Sequence, residues 1–186
     1  MIIFPWREKF ICKHFIEQSF GQEDENIVPD FSTFETLSTG EQYYLASNFN
    51  WDEGVKILKW IIESPKCDKG TAGLIFWGAE PDFYIEHTSE TIPAYEKEVF
   101  DLLQLITQRF ANNDFRSSRY KFGPGSSLKH IDFARKYVDW NLSSELQYVK
   151  PGRVPISIGS IRKWVAEYQR KQFLKSRELR KNKRRK

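Results

Sequence analysis

The chain has 186 residues and a mass of 22.1 kDa, a length that suits one hydrophobic core with an appendage rather than several domains. Hydrophobic residues make up 40% and charged residues 29%, and no run approaches the ~18 apolar residues of a spanning helix, so composition excludes a low-complexity disordered chain and a membrane-spanning one. Two cysteines, Cys12 and Cys67, without CxxC spacing argue against a disulfide framework and a structural zinc site, and point to a reducing cytosol. The aromatic share of 16% is high, which allows a dense core, an adhesive surface or both.

The apolar start Met1-Ile2-Ile3-Phe4 is broken at Pro5, Arg7, Glu8 and Lys9, so no signal peptide is expected. Trp6, Phe10, Ile11, His14 and Phe15 recur at helical spacing, which predicts an amphipathic helix from Pro5 to Phe20. An acidic loop follows from Gly21 to Asp30. Two capping-box patterns come next, Ser32-x-x-Glu35 and Ser38-x-x-Glu41, the second opening a helix that ends near Asn48.

Asn50 and Glu53 predict the cap of another helix, with Val55, Leu58, Ile61 and Ile62 as its stripe and Ser64-Pro65 as its stop. Asp68 then caps a short helix through Ala72, Leu74, Ile75, Phe76 and Trp77, which is apolar nearly all round and therefore central. After an acidic loop from Glu80 to Glu90, a long helix spans Ile92 to Ala111, with Pro93 in its first turn and Tyr95, Val99, Leu102, Leu103, Ile106 and Phe110 as its stripe. Ser126, behind Gly123-Pro124-Gly125, is placed to cap a helix carrying Leu128, Ile131, Ala134, Tyr137 and Val138. Leu142 to Ile158 reads as a loop with at most a short extended stretch, and a last helix starts near Ser160 with Ile161, Trp164, Val165 and Tyr168 on one face.

The fold class is therefore mostly α, an irregular multi-helix bundle or a short array of helical pairs with a basic C-terminal helix. Two units are expected: an acidic, aromatic-rich helical domain over residues 1–160 and an amphipathic-to-basic helix or tail over 161–186. The formal charge of +4 conceals that division, because residues 161–186 carry twelve Lys/Arg against Glu167 and Glu178, a net +10, which leaves −6 on the remaining 160 residues. The tail suits a phosphate-bearing or otherwise anionic surface, and equally a solubilising terminus that folds back on its own acidic body.

The segments Asn48-Phe49-Asn50-Trp51-Asp52-Glu53-Gly54, Cys67-Asp68-Lys69-Gly70-Thr71-Ala72 and Phe76-Trp77 resemble the signature block of a mainly bacterial family, domain of unknown function 4274. The resemblance covers roughly residues 45–85 and departs from the family at Lys69, where a hydrophobic residue is common. It implies a helical pair and a bacterial origin, and transfers no catalytic residue because the family has no agreed activity. The residues themselves read as packing and capping: buried rings at Trp51 and Trp77, close helix approach at Gly70, and carboxylates at helix starts in Asp52 and Asp68. The alternative use of the block is a recognition surface built from Trp51, Asp52 and the acidic loop.

A search for chemistry finds little. His14, His87 and His130 lack metal-ligand spacing, and His87 among Glu80, Asp82, Glu86 and Glu90 reads more simply as an exposed acidic loop than as an acid–base or metal site. Gly123 to Ser127 matches no phosphate-binding fingerprint. Cys12 reads as a small buried thiol, and Cys67, beside an N-cap, as a thiol whose pKa is open to depression. No enzyme, cofactor or metal is expected.

The reading that gathers most of these features is a small cytosolic immunity or antitoxin protein that occludes the working surface of a cognate toxin, with a basic, nuclease-like domain as the partner. Its partner-binding candidates are Trp51, Asp52, Glu53, Glu80, Asp82 and Glu86. The alternative is a nucleic-acid-binding protein acting through Arg180, Lys181, Lys183, Arg184, Arg185 and Lys186. Neither reading calls for a membrane partner.

Overall fold

The computed structural model describes residues 1–16, 28–124, 131–133, 135 and 137–159, and it is mostly helical. Helix α1, Pro5–Ile11, starts at the expected proline. Its continuation differs from a plain helix: Cys12–Ile16 form a wider π turn, which carries Phe15 into the core with Ile11 and sets His14 against Phe10. The expected continuation to Phe20 and the Gly21–Asp30 loop fall mostly outside the described residues.

Asp30, and not Ser32, caps α2 (Phe31–Glu35), its carboxylate accepting from the Thr33 amide at 2.9 Å. The expected Ser32–Glu35 box is therefore not a helix start; Ser32 lies inside the helix because Asp30 reaches the free amides first. The second box forms as expected at α3 (Thr39–Asn48), where the Glu41 carboxylate accepts from the Ser38 amide at 2.8 Å. Arg7 of α1 binds the same carboxylate and ties α1 to α3.

Asn50 does cap a turn, but only the 3-10 turn Trp51–Glu53. Gly54 then takes φ +76°, a left-handed conformation that ends the turn, and α4 (Lys56–Glu63) starts afresh with Ile57, Leu58, Ile61 and Ile62 buried. Helix α5 spans Lys69–Gly78 behind its Asp68 cap and is buried along nearly its whole length, as its all-round apolar character predicts. Helix α6, Lys97–Ala111, follows a separate 3-10 turn at Ala94–Glu96. That change of pitch throws Tyr95 off the apolar stripe, leaving it 83% exposed, while Phe100 takes the buried position.

No helix runs through the described residues between 131 and 140: Ile131 and Tyr137 are buried, Val138 is exposed, and Asp139 has φ +64°. The Ser126 start of that expected helix lies outside the described residues, as do the expected C-terminal helix and tail from 160 to 186. The 142–158 stretch contains a 3-10 turn at Ser144–Gln147 and one short strand, β2 (Ile156–Ser157), which pairs in parallel with β1 (Ile2–Ile3). Helices α3 to α6 pack on one another around the core, so the architecture is the bundle and not the array.

The central contact is Asp68. Its buried carboxylate accepts from the Gly70 amide (2.7 Å), the Ser117 hydroxyl (2.7 Å), the Arg119 amide (2.7 Å) and the Tyr120 amide (3.2 Å). Gly70 has no room for a side chain, since a Cβ there would lie 2.1 Å from the Tyr120 carbonyl oxygen, and Gly73 faces the Phe122 ring in the same way. The close approach expected at Gly70 is thus made by an extended segment and not by a second helix.

Replacing Asp68 by Ala leaves three amides and a hydroxyl without their acceptor, so urea unfolding should register a loss of about 3 kcal/mol or more. Gly70→Ala should destabilise as well, because the opposing atom is backbone. Glu41 supplies a pH signature. Burial pushes its pKa up, but the hydrogen bonds from Arg7 and Ser38 outweigh that and hold it below the 4.5 of a free glutamate. The folded state therefore binds this proton less readily than the unfolded one. Its contribution is present above pH 4.5 and declines as pH falls through the lowered native value. Glu41→Gln should flatten that acid limb in a series of unfolding curves.

Candidate functional site

The described candidate residues come from two turns at the C-terminal end of α5. The 3-10 turn places Asp52 and Glu53 in solvent and half-buries Trp51. Trp51 is thus less covered than the packing reading expects, while Trp77 is buried with its indole N–H on the Leu146 carbonyl at 3.1 Å. The Trp51 ring lies over Gly78, where an added Cβ would be 3.2 Å from its Cζ2. That contact brings the first acidic turn to the place where Glu80 and Asp82 leave α5. Glu80, at φ +52°, turns the chain away from the helix axis.

A second 3-10 turn, Tyr84–Glu86, completes the rim. Between the acids stands Phe83, 45% exposed, tilted against His87 with ring centroids 4.7 Å apart and edge-on to Tyr84 at 5.1 Å. The Tyr84 hydroxyl donates to Glu96 at 2.5 Å. Burial, reinforced by Glu96, Glu80 and Tyr95, pushes the Tyr84 phenol well above its ordinary range, so it stays a neutral donor. Tyr95, exposed, is the residue before that Glu96 in the chain. Glu86 is engaged by Arg135 at 2.9 Å, which leaves Asp52, Glu53 and Glu80 as the freer carboxylates of the candidate set.

Exposed Phe83 thus stands among carboxylates beyond the end of a buried helix, and exposed Tyr95 adjoins the Glu96 that accepts from Tyr84. Reading the sequence alone missed both rings: Tyr95 was absorbed into a helical stripe, and Phe83 sat unmarked among acids. Among the described residues, no group of three or more His, Cys, Asp or Glu side chains is arranged to hold a metal ion, the His87 loop included. Arg180, Lys181, Lys183, Arg184, Arg185 and Lys186 lie outside the described residues. Among the described residues, no helix is long and apolar enough to cross a membrane.

Comparison with known proteins gives one finding. Residues 38–111 match the model of the family described as Domain of unknown function (DUF4274). The match runs from the Ser38 capping box to the end of α6, so it contains α3 to α6, the Asp68 cap and every candidate acidic residue from Asp52 to Glu86. No curated protein and no solved structure matches.

Cys67, inside the DUF4274 segment, is no reactive thiol. Burial pushes its pKa up to about 12, with only a partial counter-effect from Arg109, so the depression that its place before an N-cap leaves open is not what its surroundings favour. Cys12 is only half-buried. In the native protein at pH 8 a thiol reagent should therefore leave Cys67 unmodified, and titration of both thiols should require denaturant; peptide mapping after a short labelling pulse distinguishes the two.

Proposed function

We propose that the acidic, aromatic rim at the C-terminal end of α5 is a protein-binding surface, and that the protein is a cytosolic immunity or antitoxin protein of bacterial origin without catalytic activity. The observation that carries this reading is the pairing of exposed Phe83 and Tyr95 with Asp52, Glu53, Glu80 and Asp82 on a rigid base. Aromatic anchors supply most of the affinity in protein interfaces, and a one-signed rim accelerates encounter with a partner of opposite sign. The partner that fits is a basic protein domain, and occlusion of its working surface needs no chemistry from this chain. Trp51 supports the surface from below through its contact with Gly78.

The test is a pull-down from lysate of the source organism, with and without nuclease, using the native chain beside the double variant Phe83→Ala/Tyr95→Ala and the charge reversal Glu80→Lys. A single stoichiometric protein that survives nuclease, is lost with the double variant and weakened by Glu80→Lys is the expected result, with an affinity change of roughly thirtyfold or more for the two rings. Recovery of that protein undiminished by all three substitutions removes the rim from the reading. A nucleic-acid mixture that disappears on nuclease treatment, or on deletion of residues 170–186, moves the function to the tail.

A further inference from the structure

A second surface is built where the two ends of the described chain meet. Strands β1 and β2 run parallel with Ile2 opposite Ile156 and Ile3 opposite Ser157. Ile3 and Ser157 are buried, so Ile2 and Ile156 share the outer face. Alternation along each strand adds Phe4 and Val154 to that face, both exposed. Trp6, 63% exposed, stacks on Phe4 with centroids 4.6 Å apart and planes 11° from parallel. Five apolar side chains thus form one continuous exposed row, of a kind that soluble proteins seldom leave without a use.

Cations border the row. Arg153 precedes Val154, and its main chain is clamped on the neighbouring segment, its amide donating to Arg119 at 2.8 Å and its carbonyl accepting from Lys121 at 3.1 Å. Arg119, Lys121 and Arg153 are all exposed; Arg119 and Lys121 lie on the side of their segment opposite the buried Tyr120, the side that Val154 takes, and Arg153 flanks it as the bridge partner of Tyr120. Among the described residues no carboxylate forms an ion pair with any of the three. Residues 115–124 and 148–159 contain no Asp or Glu at all.

We propose that this face docks on an anionic lipid bilayer, with Phe4 and Trp6 entering the interface and Arg119, Lys121 and Arg153 at the level of the lipid phosphates. A nucleic acid would use the cations and could stack on the two rings, but would leave Ile2, Val154 and Ile156 in water; a bilayer uses the apolar row and the cations together. Stable adsorption takes two such signals, an apolar insertion and a basic patch. The Gly159 amide donates to Glu8 of α1 at 3.3 Å and fastens the end of β2 to the first helix. The acidic rim lies at the opposite end of α5, about 12 Å of helical rise from Gly70 to Gly78, away from the lipid. The inference stands independently of the protein-binding reading.

The test is co-sedimentation of the full chain with phosphatidylcholine vesicles and with phosphatidylcholine–phosphatidylglycerol vesicles, beside Phe4→Ser/Trp6→Ser and Arg119→Gln/Lys121→Gln/Arg153→Gln variants. All five substitutions are at exposed side chains, and circular dichroism with a thermal melt checks that each variant is folded. Expected are binding to the anionic vesicles only, a blue shift of tryptophan emission that Trp6→Ser removes, and at least about tenfold weaker partitioning for either variant. Absence of vesicle binding at physiological salt overturns the proposal. So does binding that salt abolishes but Phe4→Ser/Trp6→Ser leaves unchanged, which would be adsorption through charge alone. Nucleic-acid binding, or a concentration-dependent dimer, that those substitutions abolish would assign the face to that other partner.

Discussion

The buried carboxylate of Asp68 is the constraint on which the rest of the structure depends. An anion removed from water is costly unless its acceptor positions are filled, and here four donors fill them, one from α5 and three from residues 117–120. The segment so held makes two isolated bridges, Tyr120 in parallel with Arg153 and Phe122 antiparallel with Lys150. The chain that starts at Lys150 then becomes β2 and pairs with β1, while the Tyr120 hydroxyl meets the Met1 sulfur at 3.7 Å. One carboxylate thereby links the central helix, the C-terminal segments and the N-terminus into a single body.

That arrangement explains the spacing inside the DUF4274 segment and shows that part of its logic lies outside it. Asp68 supplies the acceptor, and Gly70 and Gly73 supply the groove, but the groove is occupied by residues 117–122, beyond the matched range. Lys69, where the resemblance implies a hydrophobic residue, follows the same rule. Its ammonium is buried, bonded to Asn113 at 2.8 Å and to Glu145 at 2.9 Å, and lies 5.7 Å from the Phe110 ring centroid. Its stem fills a site where an apolar residue would pack, and its charge is met by a carboxylate and a ring contributed from elsewhere. A cation at this position is tolerated because Glu145 is there to pair with it.

Much of the fold was legible in local signals. The Ser38–Glu41 box, the Asp68 cap, the α4 stripe and the all-round apolar α5 each declare themselves within one or two turns of sequence. The failures share a cause, in that each was decided by something outside its own window. Asp30 competed with Ser32 for the same amides; Gly54 cut the turn begun by Asn50; a 3-10 turn rotated Tyr95 out of the stripe. The segment around Tyr120 was the largest omission, although Arg119-Tyr120-Lys121-Phe122 alternates charged and aromatic residues with the period of an extended chain. Isolated bridges too short to count as strands left that period unremarked. Of the candidate site, the acids were readable as composition, whereas the exposed rings depended on backbone pitch and were not.

The placement of charge relative to α5 also bears on recognition. An α-helix carries partial positive charge at its N-terminus and partial negative charge at its C-terminus. In α5 the positive end is met at once by the Asp68 carboxylate, whereas the negative end faces the turns carrying Asp52, Glu53 and Glu80, where the one ion pair among the described residues is that of Arg135 with Glu86. The helix therefore adds to the acidic field instead of cancelling it, and the apolar surroundings of α5 keep that contribution poorly screened. Carboxylates gathered at a helix C-terminus repel both one another and the dipole, an arrangement that stability alone disfavours. A basic partner would relieve both repulsions at once, which is the physical argument behind the binding surface proposed at this end of the molecule.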